Sequence, residues 1–245
     1  CLSDKPKELL ELVDSCLKPK QTEKEKFGEV FTPMHIVNDM LDQLDKYYYK
    51  QHGSSIFSNK NLKWFDPANG MGNFPIAIYI RLMVGLKGYI NNKLERKRYI
   101  LENMLYMSEI NKKNVFVCKQ IFDINNEYNL NIYNGDSLTL NTKKLWNINK
   151  FDVIIGNPPY NSGGIRSHTG KHLGAKNKTI WPEFVKYALN HLKKNRYLAF
   201  INPLSWLKKS HSMHNKLLDK HILWLKVWDN SQSKVSMNAD IPLSI

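Results

Sequence analysis

The chain has 245 residues and a formal charge of +14, from 36 Lys and Arg against 22 Asp and Glu, a length suited to one large domain or one domain with a short appendage. With 42% hydrophobic and 24% charged residues, its composition is that of a globular domain and excludes wholesale disorder. No apolar stretch approaches the ~18–20 residues of a membrane span, no basic-then-apolar leader opens the chain, and the scattered Cys1, Cys16 and Cys118 form neither a disulfide framework nor a zinc knuckle, which points to a reducing, intracellular setting.

Residues 6–18 carry Leu9, Leu10, Leu12, Val13 and Leu17 at helical spacing, an amphipathic helix followed by a charged connector to Lys26. A start at Cys1 instead of Met is expected of a trimmed chain. Thr32 is the expected N-cap, and Pro33 the first residue, of a helix through Ile36, Val37, Met40, Leu41 and Leu44. The apolar run Leu62–Phe65 reads as a strand. It ends in Asp66-Pro67-Ala68-Asn69-Gly70-Met71-Gly72-Asn73-Phe74, with a helical pattern beyond through Ile76, Ile80, Met83 and Val84. Strands are then expected at Leu105–Ser108, Asn131–Tyr133, Phe151–Ile155, Tyr197–Ile201, Ile222–Val227 and Ala239–Ile245, and helices at Asn111–Phe122, Trp181–Leu192 and Ser205–Leu218. Strand and helix in alternation predict a doubly wound α/β fold, a mostly parallel twisted sheet with helices on both faces. Ligands in such sheets bind at the carboxyl ends of the strands.

Two strand ends carry the chemistry. At 66–74, Gly70 and Gly72 allow close backbone approach, because no Cβ intervenes. Such a turn cradles a phosphate, a dinucleotide or no ligand at all, and no Gly-Lys-Ser/Thr follows to make it a phosphate loop. Glu109, closing the next strand, is placed to accept the hydroxyls of a ribose, and Asp136, after the third, to accept from an adenine amino group. Together they describe an adenosine site.

The sharper feature is Asp152–Tyr160. A buried strand is released by Gly156 into Asn157-Pro158-Pro159-Tyr160. The two prolines stiffen the loop and remove two backbone donors. An asparagine amide oxygen and a proline carbonyl then make a pair of acceptors for the two hydrogens of an exocyclic amino group. Accepting both draws the nitrogen toward sp³ geometry and frees its lone pair for attack on a methyl sulfonium, without a strong general base. Tyr160 supplies an aromatic face for a planar group.

On these residues the chain resembles the catalytic domain of S-adenosylmethionine-dependent DNA adenine-N6 methyltransferases of the gamma motif order, as in type II and IIG restriction–modification systems. Asn157–Tyr160 matches their catalytic loop and Asp66–Phe74 their cofactor loop. Gly28-Glu29-Val30-Phe31-Thr32-Pro33 matches the segment that closes over the methionine moiety, and Asn202-Pro203-Leu204-Ser205-Trp206 the segment backing the target pocket. The resemblance covers roughly residues 27 to 228 and implies a Rossmann-like class I methyltransferase fold. It implies a cofactor site of Phe31, Thr32, Pro33, Asp66, Pro67, Ala68, Gly70, Gly72, Phe74, Glu109, Asp136 and Asn157, with S-adenosylmethionine leaving as S-adenosylhomocysteine and no metal in the transfer. Asn157, Pro158, Pro159 and Tyr160 form the catalytic set, acting on an adenine flipped out of duplex DNA.

The same tetrapeptide serves enzymes that methylate glutamine amides in proteins, and some RNA amino-methyltransferases. A third reading is a cofactor-sensing DNA-binding module of a restriction–modification protein. The Phe31-Thr32-Pro33 segment and the basic charge favour DNA. That charge is 31 Lys against 5 Arg, spread from end to end, and so suits phosphate attachment more than base reading. The 18-residue segment Asn161–Lys178 is acid-free and carries Arg166, Lys171, Lys176 and Lys178, placed to bind phosphates beside the extruded base. His168 and His172 lack a third ligand for zinc. Two features depart from the family. No aromatic follows Trp228 to stack on the far face of the base, and a target-recognition domain is expected beyond Ile245. The expected organisation is an N-terminal helix and linker at 1–26 and a catalytic domain at 27–245, with a restriction or specificity partner or a fused recognition domain.

Overall fold

The computed structural model describes residues 5, 8, 32–162, 178–227 and 242–244. Apart from Glu8, the helix expected at 6–18 lies outside them, as do Phe31, Arg166, His168, Lys171, His172 and Lys176. Helix α1 (Met34–His52) leads to strand β1 (Trp64–Asp66), α2 (Asn73–Gly85), α3 (Lys93–Asn103), β2 (Leu105–Glu109), α4 (Lys112–Asp123) and β3 (Asn131–Asn134). There follow α5 (Thr142–Trp146), β4 (Phe151–Gly156), β5 (Asn161–Ser162), β6 (Lys178–Thr179), α6 (Trp181–His191), β7 (Leu192–Ile201), α7 (His214–Leu218), β8 (Trp224–Leu225) and β9 (Pro242–Ser244).

The main sheet has seven strands in the order β3–β2–β1–β4–β7–β9–β8. Its first five strands are parallel and β9 runs antiparallel to both neighbours. Both faces are covered, and the strand residues show why. Trp64, Leu105, Met107, Val153, Ile155, Tyr197 and Ala199 enter one core cluster with α1 and α2. The alternate Phe65, Tyr106, Ile154, Leu198 and Phe200 enter the other with Trp181, Phe184 and Trp206. Period-two alternation with apolar residues in both phases is the signature of a sheet buried on two sides.

Helix α2 packs so closely that a Cβ at Gly85 would stand 2.4 Å from the Phe57 carbonyl oxygen. Gly85→Ala should destabilise the fold by about 1–3 kcal/mol through overpacking, read as a lower denaturant midpoint at unchanged slope.

Several local expectations change. Pro33 is the N-cap of α1 instead of its first residue, and Thr32 makes no capping bond; its hydroxyl is used elsewhere. The helix expected at Ser205–Leu218 is a 3₁₀ turn at Leu204–Leu207 and then α7. Between them the His211 ring nitrogen accepts from the Met213 amide (3.1 Å), and the His214 ring bonds the Trp206 carbonyl (3.0 Å). These side chains satisfy backbone groups that a continuous helix would have paired. The segment after Tyr160 is not wholly without structure, since β5 and β6 pair as its two ends. Helix α3 is not legible as an apolar stripe because its sequence, Lys-Leu-Glu-Arg-Lys-Arg, is dominated by charge. Asn92 caps it by accepting from the Leu94 and Glu95 amides, and Ile100 and Leu101 are its buried anchors. Among the described residues no helix is long and apolar enough to cross a membrane.

Candidate active site

The strand order reverses between β1 and β4, which places a crevice beyond their carboxyl ends. The turn after β1 and the loop after β4 meet there, because the register pairs Phe65 with Ile154.

The first turn is braced from three sides. Gly70 and Gly72 both take positive φ, 54° and 99°, the left-handed region that glycine enters without steric cost. The Asp66 carboxylate accepts the Ala68 amide (3.0 Å) through Oδ1, while its buried Oδ2 has no hydrogen-bond partner among the described residues. Glu109 is buried and spans two elements, accepting the Gly70 amide through Oε2 (2.8 Å) and the Asn111 amide through Oε1 (2.7 Å). On the other flank Ser137 donates to the Pro67 carbonyl and stands 2.6 Å from the Ser108 hydroxyl. Burial pushes the Asp66 carboxyl up to about 8, and the neighbouring Glu109 charge adds to the shift.

No motif marks Cys118 as a site residue, yet it supports this turn from α4. Its sulfur accepts from Asn69 Nδ2 (3.1 Å), and a Cβ at Gly72 would come within 3.1 Å of it. Burial raises its thiol, so it stays protonated. A lone cysteine far in sequence from both loops offers no signal for this packing role.

The remaining expected residues divide. Phe74 is buried in the core cluster of α1 and α2. Asp136 is exposed at the end of β3, where Oδ1 accepts the Leu138 amide (2.9 Å). Thr32 is buried, and Pro33 is half-buried beside it.

At the second loop, Asn157 is half-buried and Pro158 buried. The Asn157 amide is held at both ends. Nδ2 donates to the Thr32 hydroxyl (3.1 Å), and Oδ1 accepts from the Tyr160 hydroxyl (2.9 Å). The Tyr160 ring is 9% exposed and lies in the second core cluster, so it offers no open face to a planar group in this arrangement. Its backbone carbonyl accepts the Ile180 and Trp181 amides at the start of α6. A Cβ at Gly156 would stand 2.5 Å from Asp66 Oδ1, so this glycine lets the two loops touch. The Asn202 side chain at the end of β7 is buried, and its Oδ1 has no hydrogen-bond partner among the described residues. Lys178 takes part as backbone in β6.

The residues present fit a cationic adenosyl group: a buried carboxylate oxygen at Asp66 with no partner among the described residues, a second carboxylate at Glu109 and a turn built on two glycines. No cluster of three or more metal-ligating side chains is present among the described residues.

Comparison with known proteins agrees with this architecture. The chain is 28% identical over 258 residues to an uncharacterized adenine-specific methylase of Mycoplasma pneumoniae, an overlap of 78% of this chain and 58% of that protein. It is 26% identical over 235 residues to the type II restriction enzyme and methyltransferase RM.Eco57I of Escherichia coli, covering 73% of this chain and 23% of that one. The fold is that of a chain in a cryoEM structure of a DrdV–DNA complex, at a TM-score of 0.66 and 18% identity over 98% of this chain and 28% of that chain. The chain thus spans less than two thirds of the length of each of these proteins. The profile of the Eco57I restriction-modification methylase family matches residues 78–234, well over half of the sequence, and the chain belongs to that family.

Proposed function

We propose that the chain is the catalytic part of an S-adenosylmethionine-dependent DNA methyltransferase that modifies the N6 amino group of a flipped adenine within a restriction–modification system. The observation that carries this reading is the meeting of the Gly156–Asn157 loop with the Asp66–Gly72 turn at the sheet's switch point, where Gly156 lies against Asp66 and Thr32 bonds both Asn157 and Asn73. The M. pneumoniae relative is named an adenine-specific methylase, which supports the target, and the E. coli relative a type II restriction enzyme and methyltransferase, which supports the setting.

In this reading Asp66, Glu109, Asp136 and the Gly70–Gly72 backbone hold the cofactor, with Phe31, Thr32 and Pro33 beside it. The cofactor supplies an electrophilic methyl group on a sulfonium. Asn157 Oδ1 and the Pro158 carbonyl accept the two hydrogens of the adenine amino group, orient its lone pair and take up the charge that develops on the nitrogen. The Tyr160 ring stacks on the base, whose extrusion exposes an amino group otherwise closed off in the duplex. Lysines, including Lys171, Lys176 and Lys178 with Arg166, attach to phosphate without reading sequence.

The test offers radiolabelled cofactor to the protein with unmethylated DNA, total RNA and a protein extract in parallel. Label in DNA, recovered as N6-methyladenine, is the expected result. Label in RNA or in a protein amide assigns the site to the other chemistries that share the Asn-Pro-Pro-Tyr loop, and cofactor binding without transfer to any of the three assigns it to a sensing module.

A further inference from the structure

We propose that Thr32 is the positioning residue for Asn157 and that the Tyr160 hydroxyl is a resident partner which the substrate amino group displaces; the proposal rests on the methyl-transfer reading above. Thr32 is 5% exposed and tied in two directions. Its carbonyl accepts Asn73 Nδ2 (2.8 Å) from the first residue of α2, and its hydroxyl accepts Asn157 Nδ2 (3.1 Å). The cofactor loop and the catalytic amide are therefore linked through one residue, by its backbone carbonyl on one side and its hydroxyl on the other. With its nitrogen committed to Thr32, the amide presents its oxygen toward the position of the substrate nitrogen. A reversed amide would set its NH₂ donors against the hydrogens of an amino group.

That oxygen is already engaged, accepting from the Tyr160 hydroxyl at 2.9 Å. A bound donor weakens the oxygen as an acceptor for a second one, and the position that makes this bond also keeps the ring in the core. Stacking on a base and holding Asn157 are therefore alternative positions of one side chain. The Tyr160 backbone stays in place, because its carbonyl is held by the Ile180 amide (2.9 Å). The change is a rotation of the side chain, in which the arriving amino group replaces the phenol as donor to Asn157.

Single-turnover transfer to unmethylated DNA of mixed sequence, at saturating cofactor, separates the roles. Thr32→Val keeps the shape and removes the hydroxyl; its rate should fall about tenfold or more, and Thr32→Ser should restore it to within a few-fold. Tyr160→Phe keeps the ring and removes the competing donor. Its half-saturating DNA concentration should fall severalfold, because the donor that competes for Asn157 is gone, and an unchanged value overturns displacement. In the cofactor-free protein, the Asn157 side-chain NMR signal, assigned by its loss in Asn157→Ala, should move in both Thr32→Val and Tyr160→Phe. A wild-type rate in Thr32→Val overturns the positioning role. A loss in Tyr160→Phe as deep as in Thr32→Val shows that the phenol is required in the reactive state and overturns displacement. Unchanged Asn157 signals overturn both contacts whatever the rates, and a wild-type protein that binds cofactor but labels no DNA overturns the reading beneath the proposal.

Discussion

Asn157→Ala is expected to lower methyl transfer at least about a hundredfold, the scale on which removal of one preorganised hydrogen-bonding group acts in a water-poor site. Among the described residues Asn157 makes no hydrogen bond to the Asp66–Gly72 turn, which Glu109, Ser137, Cys118 and the Ser108 carbonyl hold in place. Cofactor affinity should therefore change little while the rate collapses. The substitution also removes one hydrogen bond from each of two hydroxyls, those of Thr32 and Tyr160. Losing such a hydrogen bond costs about 0.5–1.5 kcal/mol, so a modest fall in melting temperature should accompany the kinetic loss. Equilibrium titration with S-adenosylhomocysteine, set against single-turnover transfer, separates the two effects. Substantial transfer by a folded Asn157→Ala protein would refute the assigned mechanism.

The second large effect is on the pH dependence of cofactor binding. Asp66 is buried, its Oδ2 has no hydrogen-bond partner among the described residues, and burial pushes its carboxyl up to about 8. A permanently cationic ligand favours the ionised carboxylate, so binding below about pH 8 must expel a proton. Affinity should fall by up to about tenfold per unit as pH drops below 8 and level off above it. Calorimetry in buffers of different ionisation enthalpy should detect that proton. Linkage acts on the fold in the same window. A carboxyl whose folded value is raised binds its proton more tightly in the native state, so ligand-free stability falls as pH rises from about 4 to about 8. Asp66→Asn should bind cofactor weakly, with the pH dependence flattened and ligand-free stability raised near neutrality. A steep pH dependence that survives in Asp66→Asn would place the titrating group elsewhere. Gly156→Ala offers an independent check, since its methyl must push against the Asp66 carboxylate.

Both predictions rest on residues that are legible in the amino-acid sequence, and the reasons are local. Asp66–Phe74 and Asn157–Tyr160 are short segments whose conformation depends on glycine and proline backbone preferences, which act within a few residues. The strand and helix alternation is readable for a similar reason: Trp64 with Phe65, and Val153 with Ile154, point to opposite faces and both are apolar. Local reading fails where a distant partner decides the outcome. Ser205–Leu218 has helical spacing, yet His211 and His214 draw the backbone into turns, and the His211 ring stacks on Trp181 at 5.1 Å. Thr32 has the chemistry of a cap, but its hydroxyl goes to Asn157 instead.

By itself, the sequence determined the α/β class, the two loops at strand ends and the residue types able to hold an adenosyl group and accept from an amino group. Only the tertiary structure decided how those groups are shared. Glu109 spends part of its carboxylate on the Gly70 amide, Cys118 fills the space that Gly72 leaves, and Thr32 reaches Asn157 across 125 positions of chain. Periodicity and turn propensity act over a few residues. Contacts across such separations follow from the order in which parallel strands assemble, which brings the ends of β1 and β4 side by side whatever their distance in sequence.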